Sequence, residues 1–289
     1  MSQRYSRIIQ GCMTWGVWGK KLSKNEMISA INHCMENGIT TFDHADIYGD
    51  YTTEIEFGKA LAEVDIPRED IQLISKCGIQ YIGNTRNNEV KHYQYDASYI
   101  IGSVEKSIKD LNANYLDLLL LHRPSPLIHP DEVAKAVDTL ISEGKIKAFG
   151  VSNFTPSQSD LISTRSQISV NQIDFSLTSF EAMYNGSLDH MMISAITPMC
   201  WSPLGKVFKT EDEQTRRIHK LLNELSKKYN ATKDQLLLAW ILKHPSGIHL
   251  VIGTTNKKRI TNAIKADSIA LTEVDWFKML AESQGHKVP

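Results

Sequence analysis

Cysteine is scarce here, and poorly spaced for a structural role. Cys12, Cys34, Cys77 and Cys200 are the only four in 289 residues, and no two form a C-x-x-C pair, which argues against a disulfide framework and a cysteine zinc site. Reduced, mostly buried thiols are expected. Long apolar runs are missing as well, since no stretch approaches the roughly 18 residues of a membrane span. The opening segment MSQRYSRIIQGCMTWG lacks the apolar core and small-residue cleavage site of a signal peptide. A cytoplasmic address without membrane contact is therefore expected. There is no excess of either charge: 32 Lys and Arg stand against 33 Asp and Glu, so nothing draws the chain to nucleic acid, and small molecules are the expected partners. Gly/Ser/Pro-rich linkers and low-complexity tracts are absent. One domain spanning residues 1–289 follows as the expectation.

What is present is an alternation. Short apolar runs of strand character recur at Arg7–Gly11, Thr40–Asp43, Ile71–Lys76, Leu116–His122, Lys147–Val151, Ile168–Gln172, Thr197–Trp201 and His249–Ile252, with helix-period segments between them. Alternation of this kind predicts a parallel sheet, and the uninterrupted leucines from Leu118 to Leu121 suit a strand covered on both faces. Helix starts are marked by Ser23 with Glu26, Thr155 with Gln158, Thr232 with Gln235 and Thr272 with Asp275, and Pro156 takes a first helical position. Between Asp131 and Glu143 the residues Val133, Ala136, Val137, Leu140 and Ile141 form one apolar stripe. An open doubly wound sheet usually shows G-x-G-x-x-G after its first strand, but that place reads Gly11-Cys12-Met13-Thr14-Trp15-Gly16. Eight strands in a chain of this length suit a single-domain (β/α)8 barrel of the TIM type, typically about 250 residues.

Nearly every expected strand ends in a polar residue: Asp43, Lys76, His122, Ser152-Asn153, Gln172, Ser202 and Thr254-Thr255. Taken singly, each could be a loop residue or a cap. In a (β/α)8 barrel, however, the C-terminal strand ends share one mouth, so these residues would converge. A lysine, an aspartate and a histidine meeting above an apolar core would need partners. Tyr48 follows Asp43 in the next loop, and a tyrosine beside an ammonium is a proton donor whose pKa the cation lowers, while Asp43 would keep the lysine charged. That assembly suits carbonyl reduction.

With these residues in place the sequence resembles the aldo-keto reductases, most closely their bacterial YdhF-like branch, over nearly its whole length. Gly38-Ile-Thr-Thr-Phe-Asp43-His-Ala-Asp-Ile-Tyr48-Gly49 is similar to the family signature G-x-x-x-h-D-t-A-x-x-Y-G. Ile74-Ser-Lys76 and Leu116-Asp-Leu-Leu-Leu-Leu-His122-Arg-Pro resemble the strands that carry its lysine and histidine. The resemblance implies a catalytic tetrad of Asp43, Tyr48, Lys76 and His122 and an NADPH/NADP+ cofactor. Its nicotinamide end would be held by Asp43, Ser152, Asn153 and Asn171-Gln172 beneath Trp201. Ser202, Leu204 and Gly205 match the segment that follows that aromatic, Thr14-Trp15 match the G-T-W after the first strand, and Gly253, Thr254, Thr255 and Arg259 match the segment that binds the 2′-phosphate. Departures fall at Met13, His44 and Asn262-Ala263, and the loop from Tyr81 to Tyr95 is longer than usual. The substrate would be a small carbonyl compound, with Trp15, Trp18 and Tyr81 as candidate walls.

Two other classes stand beside this one. A non-catalytic nucleotide sensor on the same barrel would keep the cofactor residues, as the potassium-channel β-subunits suggest by analogy. A metal-dependent hydrolase could use Asp43, His44, Asp46 and His122, but Lys76 would repel a cation there and no His-x-His marks an early strand. No metal is expected.

Overall fold

The computed structural model describes residues 5–288; Met1–Arg4 and Pro289, to which the single-domain expectation also extends, lie outside the described residues. Eight parallel strands close a barrel: β1 (Ile8–Gly11), β2 (Thr41–Asp43), β3 (Gln72–Cys77), β6 (Leu118–Leu121), β7 (Phe149–Ser152), β8 (Val170–Asp174), β9 (Thr197–Trp201) and β10 (His249–Ile252). Two further strands, β4 (Ile79–Gln80) and β5 (His92–Tyr93), pair antiparallel inside the long loop between Tyr81 and Tyr95 and its approach. The expectation of a (β/α)8 barrel is met, with strand limits shifted by a residue or two. No helix of the described residues is long and apolar enough to cross a membrane.

Strand parity explains the layering. Successive side chains of a strand face opposite ways, so Leu118 and Leu120 join Ile9, Ile74, Ala148, Val170, Met199 and Val251 in the cluster that fills the lumen. Leu119 and Leu121 instead join the larger cluster between barrel and helices. All four leucines are buried, and each full burial is worth about 1.5–3 kcal/mol relative to exposure. Gly150 belongs to the inward series of β7, where the wall is crowded: a Cβ there would come within 2.5 Å of the Val170 carbonyl oxygen.

Helix starts follow the sequence signals. Ser23 and Glu26 form a full capping box ahead of the helix Lys24–Glu36, and Thr155 and Gln158 do the same ahead of Pro156–Ser163. Thr232 N donates to Gln235 Oε1 at 2.9 Å, and Thr272 Oγ1 accepts from Asp275 N at 3.2 Å. The helix Pro130–Ser142 buries Val133, Ala136, Val137 and Leu140. Ile141, expected in the same stripe, is exposed, because it lies one residue round the helix from the fully buried Leu140, at the stripe's solvent edge.

Candidate active site

The residues that build the mouth are the next inward step above the lumen-filling layer. Two positions beyond Ile74 on β3 comes Lys76, two beyond Leu120 comes His122, two beyond Val170 comes Gln172, and two beyond Met199 comes Trp201. Apolar side chains thus form the floor, and polar ones stand on it at the C-terminal rim where barrel sites lie.

Lys76 is the centre of this rim and is 1% exposed. Its Nζ donates to Asp43 Oδ2 at 2.7 Å, to the His44 carbonyl oxygen at 2.8 Å and to the Tyr48 hydroxyl at 3.1 Å. All three ammonium protons therefore have acceptors, which a buried cation requires. Asp43 is held from the other side by Gln172, whose Nε2 donates to Oδ1 at 2.8 Å. Burial pushes the lysine down, but Asp43 and Tyr48 outweigh it, and the net shift is upward; the ammonium persists.

Tyr48 departs from the sequence expectation. Burial raises its pKa, and Lys76 offsets only part of that rise, so the phenol sits above its ordinary value instead of below it. The physical reason is the removal of water from a buried hydroxyl, which disfavours the tyrosinate more than one cation at 3.1 Å favours it. His122 meets the tyrosine ring edge-to-face with centroids 6.1 Å apart. Burial, then Lys76, Arg123 and Lys91, push its pKa well below the usual histidine range, so the imidazole is neutral and can present one N–H as a donor.

The strand-end residues after His122 lie together as well. Ser152 Oγ donates to the Gln172 carbonyl oxygen at 2.9 Å and accepts from Asn153 Nδ2 at 2.8 Å, while Trp201 Nε1 donates to Asn153 Oδ1 at 3.2 Å. Ser202 and Gly205 adopt left-handed backbone and close the turn after Trp201 through Gly205 N and the Ser202 carbonyl oxygen at 2.7 Å, with Leu204 inside it. At Gly205 a Cβ would meet Thr178 Oγ1 at 2.1 Å, so no larger residue fits. Thr14 Oγ1 donates to the Gly253 carbonyl oxygen at 3.1 Å, joining the first loop to the segment Gly253–Thr255. The helix Lys257–Lys265 then starts behind Asn256, whose side chain accepts from Arg259 N. Lys257, Lys258 and Arg259 are all exposed at this helix start, and its unpaired N–H groups add to their attraction for an anion. Farther along, Ala263 is buried and the Asn262 carbonyl oxygen accepts from Gln235.

Of the proposed walls, Trp18 and Tyr81 pack together with centroids 5.1 Å apart, and Trp18 lies 6.4 Å from Tyr48. Trp15 does not belong with them. It is 0% exposed and packs on Phe42 and Phe57 in the layer between barrel and helices; its ring serves the core. Sequence reasoning also passed over Arg123, which stands directly after His122. Its Nη1 donates to the His122 carbonyl oxygen at 3.0 Å and to Ser152 Oγ at 3.3 Å, and the guanidinium lies 5.5 Å from the Trp201 ring. The one available signal was a cation directly following a strand-end histidine.

Behind the rim lies a set of buried polar groups, His44 and Asp46 of the signature together with Glu54, which no motif announced. Glu54 accepts from the hydroxyls of Ser75 and Ser107, and burial lifts its pKa to about 7. Asp46 is lifted to about 8, first by burial and then by Glu54. The His44 ring packs 4.3 Å from Phe57, and burial followed by Lys76 lowers its pKa to about 3. Asp43, His44, Asp46 and His122 do not gather into a ligand set, and among the described residues no group of three or more His, Cys, Asp or Glu is placed to hold a metal ion.

A parallel barrel whose polar rim joins a buried lysine to an aspartate, a tyrosine and a neutral histidine has the makings of an enzyme site. The chain belongs to the Aldo/keto reductase family, whose sequence profile matches residues 7–281. It is 39% identical to the uncharacterized oxidoreductase YcsN of Bacillus subtilis strain 168, covering 99% of this chain and 97% of that protein. It is 35% identical to oxidoreductase YdhF of Escherichia coli K12, over 99% and 96%, in keeping with the branch expected from sequence. A 6-dehydroglucose reductase of Agrobacterium fabrum shares 36% identity over 98% and 96%. Among solved structures, an aldo/keto reductase from Klebsiella pneumoniae in complex with NADP and acetate matches with a TM-score of 0.79 at 23% identity, over 99% of this chain and 93% of that one, a likeness of fold.

Proposed function

We propose that this chain is an NADP(H)-dependent oxidoreductase that reduces an aldehyde or ketone to an alcohol, with Tyr48 as the proton donor. The observation that carries the reading is the Lys76 ammonium bonded at once to Asp43 and Tyr48, opposite a neutral His122. Tyr48 is protonated at neutral pH, so its hydroxyl can give a proton to the carbonyl oxygen. Lys76 then stabilises the phenolate left behind, and Asp43 keeps that ammonium charged and in place. His122 orients the carbonyl through an N–H and meets the negative charge that develops on its oxygen.

The residues present fit the cofactor. Ser152, Asn153 and Gln172 offer amide and hydroxyl groups to a carboxamide, and Trp201 offers a ring face beside them. The exposed cations Lys257, Lys258 and Arg259 at a helix start suit a phosphate on the adenosine ribose, and no carboxylate of Gly253–Arg259 competes for them. Thr14, the backbone of Trp15, Ser202, Leu204 and Gly205 would line the stretch between. NADPH, when bound, supplies the hydride that reaches the carbonyl carbon. The named activity of the Agrobacterium relative makes 6-dehydroglucose a sensible first substrate, beside simple aldehydes. Trp18 and Tyr81 would form the wall beyond the carbonyl.

Tyr48→Phe is the test. It keeps the ring and removes the transferable proton, so kcat should fall by roughly 10²–10⁴ with NADPH affinity little changed. A variant that keeps more than half of wild-type kcat, with hydride transfer limiting the rate, refutes the assignment.

A further inference from the structure

Three features lie side by side at the rim. The first is a strained stretch directly after Tyr48, where Gly49, Asp50 and Tyr51 adopt left-handed backbone in succession, with φ of 62°, 57° and 68°. For Asp50 and Tyr51 this conformation costs of order 1–3 kcal/mol each and persists only where surroundings enforce it. The second is the loop between β4 and β5, which carries Tyr81. The third is the pair of aromatics, Trp18 and Tyr81, packed against the cluster that contains Tyr48.

The loop enforces the strain from two ends. Asp50 Oδ2 accepts from Asn84 N at 2.7 Å and from Thr85 N at 3.1 Å, and Thr85 Oγ1 donates to the Asp50 carbonyl oxygen at 2.7 Å. The Tyr51 hydroxyl donates to the Ile79 carbonyl oxygen and accepts from Tyr81 N, each at 3.2 Å. Arg86 lies between the two. Most of its neighbours in the loop are exposed, yet its own side chain is half-buried. The guanidinium carbon stands 3.8 Å from the centroid of the Tyr51 ring, and Nη1 donates to Gln80 Oε1 at 3.0 Å and to the Tyr99 hydroxyl at 3.4 Å. Tyr99 belongs to the helix Ala97–Asp110, so one side chain joins the loop, the strand β4, the strained stretch and the barrel's helical layer.

We propose that Arg86 is a positioning residue for the proposed reaction: by clasping the 81–91 loop over Tyr51 it fixes the Trp18–Tyr81 wall against Tyr48 and so sets discrimination between carbonyl substrates by size. It touches none of Asp43, Lys76 or His122, and its effect passes through Tyr51 to Tyr81. A planar guanidinium lying on a ring while donating in its own plane suits this role better than an ammonium, which cannot do both.

The inference rests on the carbonyl-reductase reading, and its test separates the two. NADPH-dependent reduction of propanal and of benzaldehyde is compared in the wild type, Arg86→Met and Arg86→Lys, with NADPH affinity from fluorescence titration. In Arg86→Met the KM for benzaldehyde should rise about tenfold, while the KM for propanal, both kcat values and the NADPH Kd move less than about twofold, since only contacts beyond the carbonyl are lost. Arg86→Lys should recover about a third of the benzaldehyde effect on a logarithmic scale. An unchanged benzaldehyde-to-propanal ratio, or an equal loss on both, overturns the proposal. A wild type that reduces neither aldehyde overturns the functional reading instead. Amide exchange on the cofactor-free chain then decides the clasp by itself. Faster exchange in Arg86→Met confined to residues 48–51 and 79–93 supports it, and unchanged or barrel-wide exchange refutes it.

Discussion

Replacing Lys76 with methionine tests the rim more severely than any other single change. The substitution keeps an unbranched side chain of similar reach and removes only the charge and three donors. What it leaves behind is a buried carboxylate, Asp43, with Gln172 as its remaining partner at 2.8 Å, together with a carbonyl oxygen at His44 and a hydroxyl at Tyr48 that lose a donor. Breaking a buried pair from one side costs about 3–5 kcal/mol. At about 2–4 °C per kcal/mol for a domain approaching this size, Tm should fall by roughly 6–20 °C. Chemistry should suffer separately, because the tyrosinate formed by proton donation would lose the adjacent Lys76 cation. Single-turnover hydride transfer under saturating NADPH reports that step, and differential scanning calorimetry reports the stability. Adding Asp43→Asn removes the stranded charge, so the double variant should be more stable than the two single losses predict, by about 0.5–3 kcal/mol of coupling. Unchanged Tm with unchanged transfer rate would refute the pair, and strict additivity would show that Asp43 and Lys76 act independently.

Two further outcomes follow from the rim and from the layer behind it. NADPH should bind at least about tenfold more tightly than NADH, roughly 1.4 kcal/mol, with the margin shrinking as salt is raised because Arg259 and its neighbours are exposed; Arg259→Ala should weaken NADPH alone, and equal weakening of both cofactors in a fluorescence titration would remove this segment from phosphate recognition. Glu54, raised by burial to about 7 from an ordinary 4.5, holds a proton in the folded chain that the unfolded chain gives up, so its contribution is most favourable below about pH 4.5 and is lost as pH climbs to about 7, at a cost of about 3 kcal/mol; Glu54→Gln abolishes this titration, and urea-unfolding free energies for the two proteins that run parallel between pH 4.5 and 7 would refute it.

The barrel was legible because its signals are local and repeated. An apolar run closed by a polar residue, a cap and an amphipathic stripe can each be read within a dozen residues, and the eight repeats leave few topologies. His122 was legible for the same reason, as the first polar residue after the inward-facing Leu118 and Leu120, and Asp43 and Lys76 were legible as charges closing short apolar strands. Trp15 misled because an aromatic near a rim has the same sequence signature whether it faces the mouth or the helices, and Phe42 and Phe57 decide the matter from far along the chain. The direction of the Tyr48 shift was misjudged because proximity to Lys76 can be argued from sequence whereas the loss of water around the phenol cannot. The roles of Arg86 and Arg123 were invisible because both depend on which loop backbone folds over which ring. The β4–β5 pairing escaped notice since two-residue strands carry no periodicity.

The strict parity of the strands has a genetic corollary. Losing one codon inside β3 would reverse the facing of every residue on one side of the cut, sending either Ile74 of the lumen layer or the rim lysine to the wrong side of the wall. The same loss at the exposed loop residues Asn87 or Glu89 would shorten a connection and leave the facing of every barrel strand unchanged. In-frame deletion libraries of this gene should therefore yield survivors that cluster in the loops and avoid the strands almost completely. Lineages descending from it can vary the mouth by exchanging side chains and resizing loops, but sliding a strand by one residue is closed to them.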